Sequence, residues 1–394
     1  MNKEKFETIL DYGASKLRIG TFDNDYKKNK FFLNEERLNN LENYSNKINK
    51  IIKILERKIN THLKNINIMI DTSEFFCIDI GLKKNFDNRL VKSKDIKHLL
   101  NTINSLIKQN YSNYKIVHFI ITKIVIDKKE FDYFPENDLN CDEFIIEVKF
   151  ICLTSIFFEK LTNTFKKQFL TIKKIFCTSY IKSYCFKDFF ENYDKKFFLD
   201  IGYEKSSLTI YKKNKFKLIK YLDLGGNHIT KDISKVFKIS IIEAEKIKKK
   251  LSNLGITFTN KIDENHNIND INLLKELSEK NIQINLLMKV IFARIDEIFD
   301  LIFKDVDYSY FFKNDEKSIL IFIGEGSKIL NKNSITLNEK FDYFDEINFF
   351  EENTTLVCDS GYKFIQMKNP NEISLVPKKS DKYGFFEKMF NLFK

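Results

Sequence analysis

The chain has 394 residues, 43% apolar, with 11 Gly, 3 Pro and a formal net charge of +11. This excludes collagen-like, Gly/Ser-linker and Pro-rich disordered chains and allows a large core in two domains or one subdivided domain. No nucleic-acid partner is expected, because only five of the 66 basic residues are Arg and the basic residues are scattered beside 55 acids, whereas base readout favours Arg and single-strand grooves need clustered charge. Phe, Ile, Asn and Lys, all with AT-rich codons, are abundant, so each surviving Gly is informative. The six Cys form no CxxC pair and the five His show no metal spacing, which suggests free thiols in a reducing compartment. No apolar run approaches the ~20 residues of a membrane span, and no signal region follows Met1, so a cytosolic chain is expected.

In chain order, residues 6–11 read as a strand ending in Asp11, followed by the tip Tyr12-Gly13-Ala14-Ser15-Lys16 and a second strand, Leu17–Phe22. The spacing of Leu41, Ile48, Ile51, Ile52 and Leu55 predicts a helix over Asn34–Leu63. Strands follow at Ile66–Ile70 and Phe75–Ile80. Residues 83–158 read as a separate α+β unit, with a helix at Ser93–Lys108 and strands at Tyr114–Ile126 and Glu143–Leu153. His118 lies in an apolar strand and is expected to be a core residue. Residues 197–211 repeat the opening pattern with Asp200 and Gly202, which implies a duplicated architecture. A strand at Phe216–Leu224 ends in Gly225-Gly226, with a helix after Thr230 and another behind a Ser240/Glu243 capping box. Residues 260–271 read as a polar loop, Leu273–Lys304 as one long helix, and Ser318–Ile323 as a strand ending in Gly324-Glu325-Gly326-Ser327. Two of the three Pro mark 367–382 as a linker.

Nucleotide phosphates need backbone N–H groups, small side chains and a carboxylate to hold Mg²⁺ through water. The first tip supplies these: Gly13 and Ala14 for close approach, Ser15 and Lys16 for phosphate oxygens, Asp11 for the metal. The second tip, with Asp200 and Gly202, can clamp from the other side. Gly225-Gly226 and Gly324-x-Gly326 add strand-end turns ahead of helices, a favourable anion position.

With these motifs the chain resembles the ATPase superfamily of actin, the 70-kilodalton heat-shock chaperones and hexokinase, and within it the bacterial cell-division family FtsA. Asp11-Tyr12-Gly13-Ala14-Ser15-Lys16 matches the first phosphate loop, and Leu199-Asp200-Ile201-Gly202 opens the second. Gly225 to Ile233, the Ala244-Glu245-Lys246-Ile247-Lys248 helix and Gly324-Glu325-Gly326-Ser327 follow the family's later motifs. The resemblance implies an α/β, actin-like (ribonuclease H-like) two-domain ATPase fold with an inserted SHS2-like subdomain. Its domains would be 1–82 with 159–194 and 350–366 (1A), 83–158 (1C), 195–233 with 311–349 (2A) and 234–310 (2B). It implies ATP and Mg²⁺, with Glu245 and Lys248 at the nucleoside, Ser327 at the adenosine loop, and Asp11 and Asp200 facing the metal. It also implies self-assembly into protofilaments, the FtsZ tail docked on 2B, and later division partners on 1C. The second loop departs from the family: Tyr203 and Glu204 replace Gly, Ser207 replaces an acid, and Glu204 would repel phosphate unless turned away, with Lys205 as an offsetting cation. Cys177-Thr178-Ser179-Tyr180 stands where relatives place Glu-Pro, so at most slow hydrolysis is expected.

The last residues form an amphipathic pattern. At ~100° per residue, Phe385, Phe386, Met389, Phe390, Leu392 and Phe393 share an arc of about 160°, with Lys388 and Lys394 opposite. Residues 383–394 are therefore expected to bind membrane lipids at the interface, strengthened by avidity on assembly. The expected function is an FtsZ-to-membrane tether at the division septum, on the cytoplasmic face of the inner membrane. The alternatives are the related pilus-assembly adaptor and a small-molecule kinase, for which the sequence nominates no catalytic acid.

Overall fold

The computed structural model describes residues 6–23, 30–37, 44–72, 74–131, 139–253, 271–307, 311, 316–330, 341–367 and 372–373. The chain divides into two compact units, one of residues 1–76 and 153–367, the other of 77–152 and 368–394. The first unit opens with β1 (Phe6–Tyr12), β2 (Lys16–Asp23), β3 (Lys30–Arg37), α1 (Tyr44–Ile59) and β4 (Asn65–Ile70). The second is built on β5 (Phe75–Val91), α2 (Ser93–Asn110), β6 (Tyr114–Ile126), β7 (Lys129–Phe131) and β8 (Leu139–Thr154). The chain returns to the first unit with α3 (Ser155–Lys166), β9 (Thr171–Cys177) and α4 (Thr178–Phe186). Then come β10 (Lys195–Ile201), β11 (Ser206–Lys212), β12 (Lys215–Leu222), α5 (Gly226–Phe237), α6 (Ile241–Asn253), α7 (Ile271–Glu279) and α8 (Ile284–Phe303). Last are β13 (Ser318–Ile323), β14 (Glu346–Phe349) and α9 (Thr354–Gln366).

The first unit contains the same sheet twice. One has the order β3-β2-β1-β4-β9 and the other β12-β11-β10-β13-β14. In each, three strands form an antiparallel meander and two more run parallel to its innermost strand. The central strands β10 and β13 are buried along their whole length, because α4 and α8 both pack on this sheet. That is why Phe197-Phe198-Leu199 and Ile319 to Ile323 read as unbroken apolar runs. Burying each such side chain contributes about 1.5–3 kcal/mol. Each parallel pair ends at the same edge, and both polar hairpin tips lie there.

Local boundaries differ from the sequence reading in three places. The predicted helix from Asn34 begins only at Tyr44, because residues 30–37 pair with β2 as an edge strand, Gly20 opposite Leu33. Helix α5 begins at Gly226 and not after Thr230. The single helix over 273–304 is two, since Asn281 takes a left-handed φ of 53°. There the Ile282 N–H donates to the Leu277 carbonyl at 2.8 Å and the Asn281 N–H to that of Ser278 at 3.0 Å, a Schellman stop with both apolar residues in the core. The capping box of α6 is formed: the Glu243 N–H donates to Ser240 Oγ at 3.2 Å, and the Ser240 N–H to Glu243 at 3.1 Å.

In the second unit, Leu99, Ile103 and Ile107 of α2 share a core with the β5-β8-β6-β7 sheet, where the Phe119 and Phe150 rings lie 4.3 Å apart, tilted by 30°. His118 is buried, with Nδ1 2.7 Å from Glu372. Residues 372–373 fall inside the expected linker, yet the Ile373 N–H donates to the Phe119 carbonyl at 2.9 Å. The expected terminal helix, with Phe385, Phe386, Lys388, Met389, Phe390, Leu392, Phe393 and Lys394, lies outside the described residues, as does nearly all of the 260–271 loop. All six Cys are free, and desolvation pushes the Cys152 and Cys185 thiols up to about 12. Among the described residues no helix is long and apolar enough to cross a membrane.

Gly361, which reads as an ordinary turn or strand position, sits in α9 against the first sheet. A Cβ there would lie 2.6 Å from Met69 and 2.8 Å from Ile9. Gly361→Val should therefore destabilise the protein by about 1–3 kcal/mol in urea unfolding, through overpacking.

Candidate functional site

The hairpin tips match position for position. The Gly13 N–H donates to the Lys16 carbonyl at 3.0 Å, and the Gly202 N–H to the Lys205 carbonyl at 2.8 Å. Asp11 stands across the ladder from Arg18, and Asp200 from Ser207. Both tips line one cleft, joined by Asp71 after β4, Thr178, Ser179 and Lys182 of α4, Tyr221 of β12, Gly324 and Glu325 after β13, and Glu352 before α9.

A chain of alternating charge crosses this cleft. Arg18 Nη1 donates to Asp11 at 2.7 Å, and its Nη2 to Glu352 Oε1 at 3.5 Å. Lys182 Nζ donates to Glu352 Oε2 at 2.7 Å and lies 2.5 Å from Asp200 Oδ2. All five groups are at most 7% exposed, so water screens them little. Desolvation opposes the charge on Lys182, but Asp200 and Glu352 outweigh it and raise its pKa; Asp11 and Glu352 do the same for Arg18. Desolvation likewise opposes the charge on Glu352, and Lys182 and Arg18 hold it below its ordinary value. Nearer the rim, Lys16 reaches Glu325 at 3.0 Å and Glu35 at 3.2 Å.

Asp71 is the third strand-end aspartate. Desolvation and then the charge of Asp200 push its carboxyl up to about 7, against hydrogen bonds from Ser179, whose Oγ donates at 2.6 Å and N–H at 3.2 Å. Thr178 Oγ1 donates to Asp11 at 3.3 Å. The Cys177-Thr178-Ser179 stretch thus anchors two of the cleft's acids.

The expected Mg²⁺ position does not fit these residues. Asp11 and Asp200, expected to hold the ion through water, are each paired with a fixed cation, Arg18 and Lys182. The expected anion position at the start of α5 is also taken. The Gly226 N–H donates to the Gly202 carbonyl at 2.9 Å and the Asn227 N–H to that of Tyr203 at 2.7 Å.

Residues 197–372 match the family model described as cell division protein FtsA. The chain has the actin-like ATPase fold. Among solved structures, the PilM–PilN type IV pilus biogenesis complex is similar at 12% identity and a TM-score of 0.59, covering 91% of this chain and 95% of that one. MreB5 of Spiroplasma citri bound to AMPPNP aligns at 9% identity and a TM-score of 0.46, covering 92% and 97%. No curated protein sequence matches the chain.

Within the matched stretch and the lobe before it, Asp11, Gly13, Ala14, Ser15, Lys16, Asp200, Gly202 and Gly324 line the cleft. Gly225, Gly226 and Gly326 pack behind the second tip: a Cβ on Gly226 would lie 3.3 Å from Gly326 Cα. Gly324 has a φ of 88°, and a Cβ there would meet the Ile201 carbonyl at 2.5 Å, so both conformation and space demand glycine. Ser327 is buried, and its Oγ closes the turn onto the Gly324 carbonyl at 2.7 Å. Glu245 and Lys248 pair at 2.7 Å, and Lys248 also donates to the Gly226 carbonyl at 2.7 Å and to Thr230 at 2.6 Å, bracing the start of α5. Glu204 is turned to Asn227, which donates to it at 2.8 Å, and Lys205 reaches Asp223 at 3.5 Å.

Arg18, Asp71, Lys182 and Glu352 were not singled out from sequence, and Thr178 and Ser179 only as standing where relatives place Glu-Pro. Asp71 had a signal, an apolar strand ending in Asp. Arg18 had another, a rare Arg seven residues after Asp11 across a tight tip. Glu352 had none.

The folded pKa of Asp71, about 7, lies above its unfolded value of about 3.9. Its protonated form therefore stabilises the fold fully below pH 4, and that contribution is lost as pH rises through 7. Thermal melts should show wild type losing stability relative to Asp71→Asn between about pH 4 and 7, then running parallel above about pH 8.

Proposed function

We propose that this chain is an ATP-binding, actin-like division adaptor that self-assembles and tethers FtsZ filaments to the cytoplasmic face of the inner membrane at the septum. The observation that carries this reading is the FtsA match over 197–372, which falls on the lobe whose hairpin tip and Gly324 turn line the cleft. ATP would sit in that cleft, its phosphates between the tips and its nucleoside toward Gly326 and Lys248, with at most slow hydrolysis. The FtsZ tail would dock on the α6–α8 region, within 234–310. The unit at 77–152 would serve assembly and later division partners, and residues 383–394 would bind lipid.

A second reading has its own support. The PilM–PilN complex covers 95% of its own chain in the structural match, so a pilus-assembly adaptor is the competing assignment.

Localisation separates the two. A fluorescently tagged copy should form a ring at midcell; a focus at the pole would favour the pilus adaptor. Deleting 383–394 should abolish co-sedimentation with anionic liposomes, and undiminished pelleting would sink the tether.

A further inference from the structure

We propose that Arg18 and Lys182 are built-in cations of the cleft, and that this chain takes its nucleotide without a divalent metal. The proposal rests on the nucleotide-binding reading above and changes its cofactor.

In a cleft of this kind a divalent ion has two tasks. It neutralises phosphate charge, and it links acids of the two lobes through its water shell. Here two side chains, together +2, occupy that place. Lys182, on α4, which packs against β9 of the first sheet and β11 of the second, reaches Asp200 at the end of β10 and also Glu352. Arg18 ties Asp11 to the same Glu352. A dication entering here would find Asp11, Glu352 and Asp200 already paired with these two fixed cations.

Two buried atoms lining the cleft point to an anion. Ser207 Oγ has no hydrogen-bond partner, and Arg18 Nε makes none either, though it lies 3.8 Å from Glu35 Oε2. Burying a donor unpaired is costly, so such groups usually mark a missing ligand. Ser207 sits across from Asp200 as Arg18 sits across from Asp11, so both unsatisfied groups come from equivalent positions of the repeated hairpin. Arg18 stays charged at any accessible pH and presents a planar fork suited to phosphate oxygens.

The test is a titration of the full chain with a fluorescent ATP analogue, in Mg²⁺ and in EDTA. Wild type should bind with dissociation constants agreeing within about twofold, where a metal-bridged phosphate site loses about tenfold or more in EDTA. An affinity that collapses in EDTA overturns the built-in cation while leaving nucleotide binding intact. Absence of saturable binding in both buffers overturns the nucleotide reading and this proposal with it. Arg18→Ala and Lys182→Ala, checked for folding by circular dichroism, should each become Mg²⁺-dependent, because the metal then restores a lost charge. Lys182→Ala leaves Asp200 without its cation and Glu352 with Arg18 alone, and is the more prone to unfold, so Arg18→Ala is the deciding variant. If it binds equally in both buffers, Arg18 does not stand in for a metal.

Discussion

The row Asp11, Arg18, Glu352, Lys182, Asp200 is the constraint on which the cleft depends. A buried pair in low dielectric is stabilising only while every partner is present, and removing one leaves a charge that water cannot reach. The row therefore fixes more than two side chains. It sets the position of α4 against β10, the approach of the segment before α9, and the relation of one hairpin tip to the other. The Lys16–Glu325 pair continues the same logic at the rim, joining the first tip to the turn after β13.

Around this row the fold is a repeat. The same meander-plus-parallel sheet occurs twice, and each copy delivers an aspartate, a glycine and a lysine at corresponding tip positions. The copies differ where charge is concerned. The first supplies its own cation across the ladder, Arg18, whereas the second has Ser207 there and borrows Lys182 from the neighbouring lobe. This asymmetry gives physical content to the altered second loop. Its Glu204 accepts from Asn227, and both Glu204 and Lys205 remain at the cleft wall.

Much of the fold was legible because its signals are local. Apolar runs ended by Asp gave β1 and β10, and the Asp-x-Gly tips gave the duplication. The Ser240/Glu243 box gave the start of α6. What failed depended on partners far along the chain. Residues 30–37 become a strand only because β2 offers an open edge, and α5 starts early because the Gly202 and Tyr203 carbonyls accept its first N–H groups. The break at Asn281 was readable in principle, since Asn tolerates the left-handed region, but the uninterrupted apolar spacing hid it. At the site, the glycines were found because a missing side chain is visible in composition. The charged row was not. Lys182 sits in α4, a helix that the sequence reading does not predict, and Glu352 is 152 residues from Asp200. The same distance turned the expected metal ligands into ion-pair partners.

The central claim is that the cleft between the duplicated sheets holds a nucleotide. Photolabelling the full chain with an azido-ATP and mapping the modified peptides addresses it most directly. The account predicts saturable labelling, competed by unlabelled ATP, on peptides from the second lobe around 201–226 and 324–330. Labelling that cannot be competed, or that falls on 77–152, would contradict it.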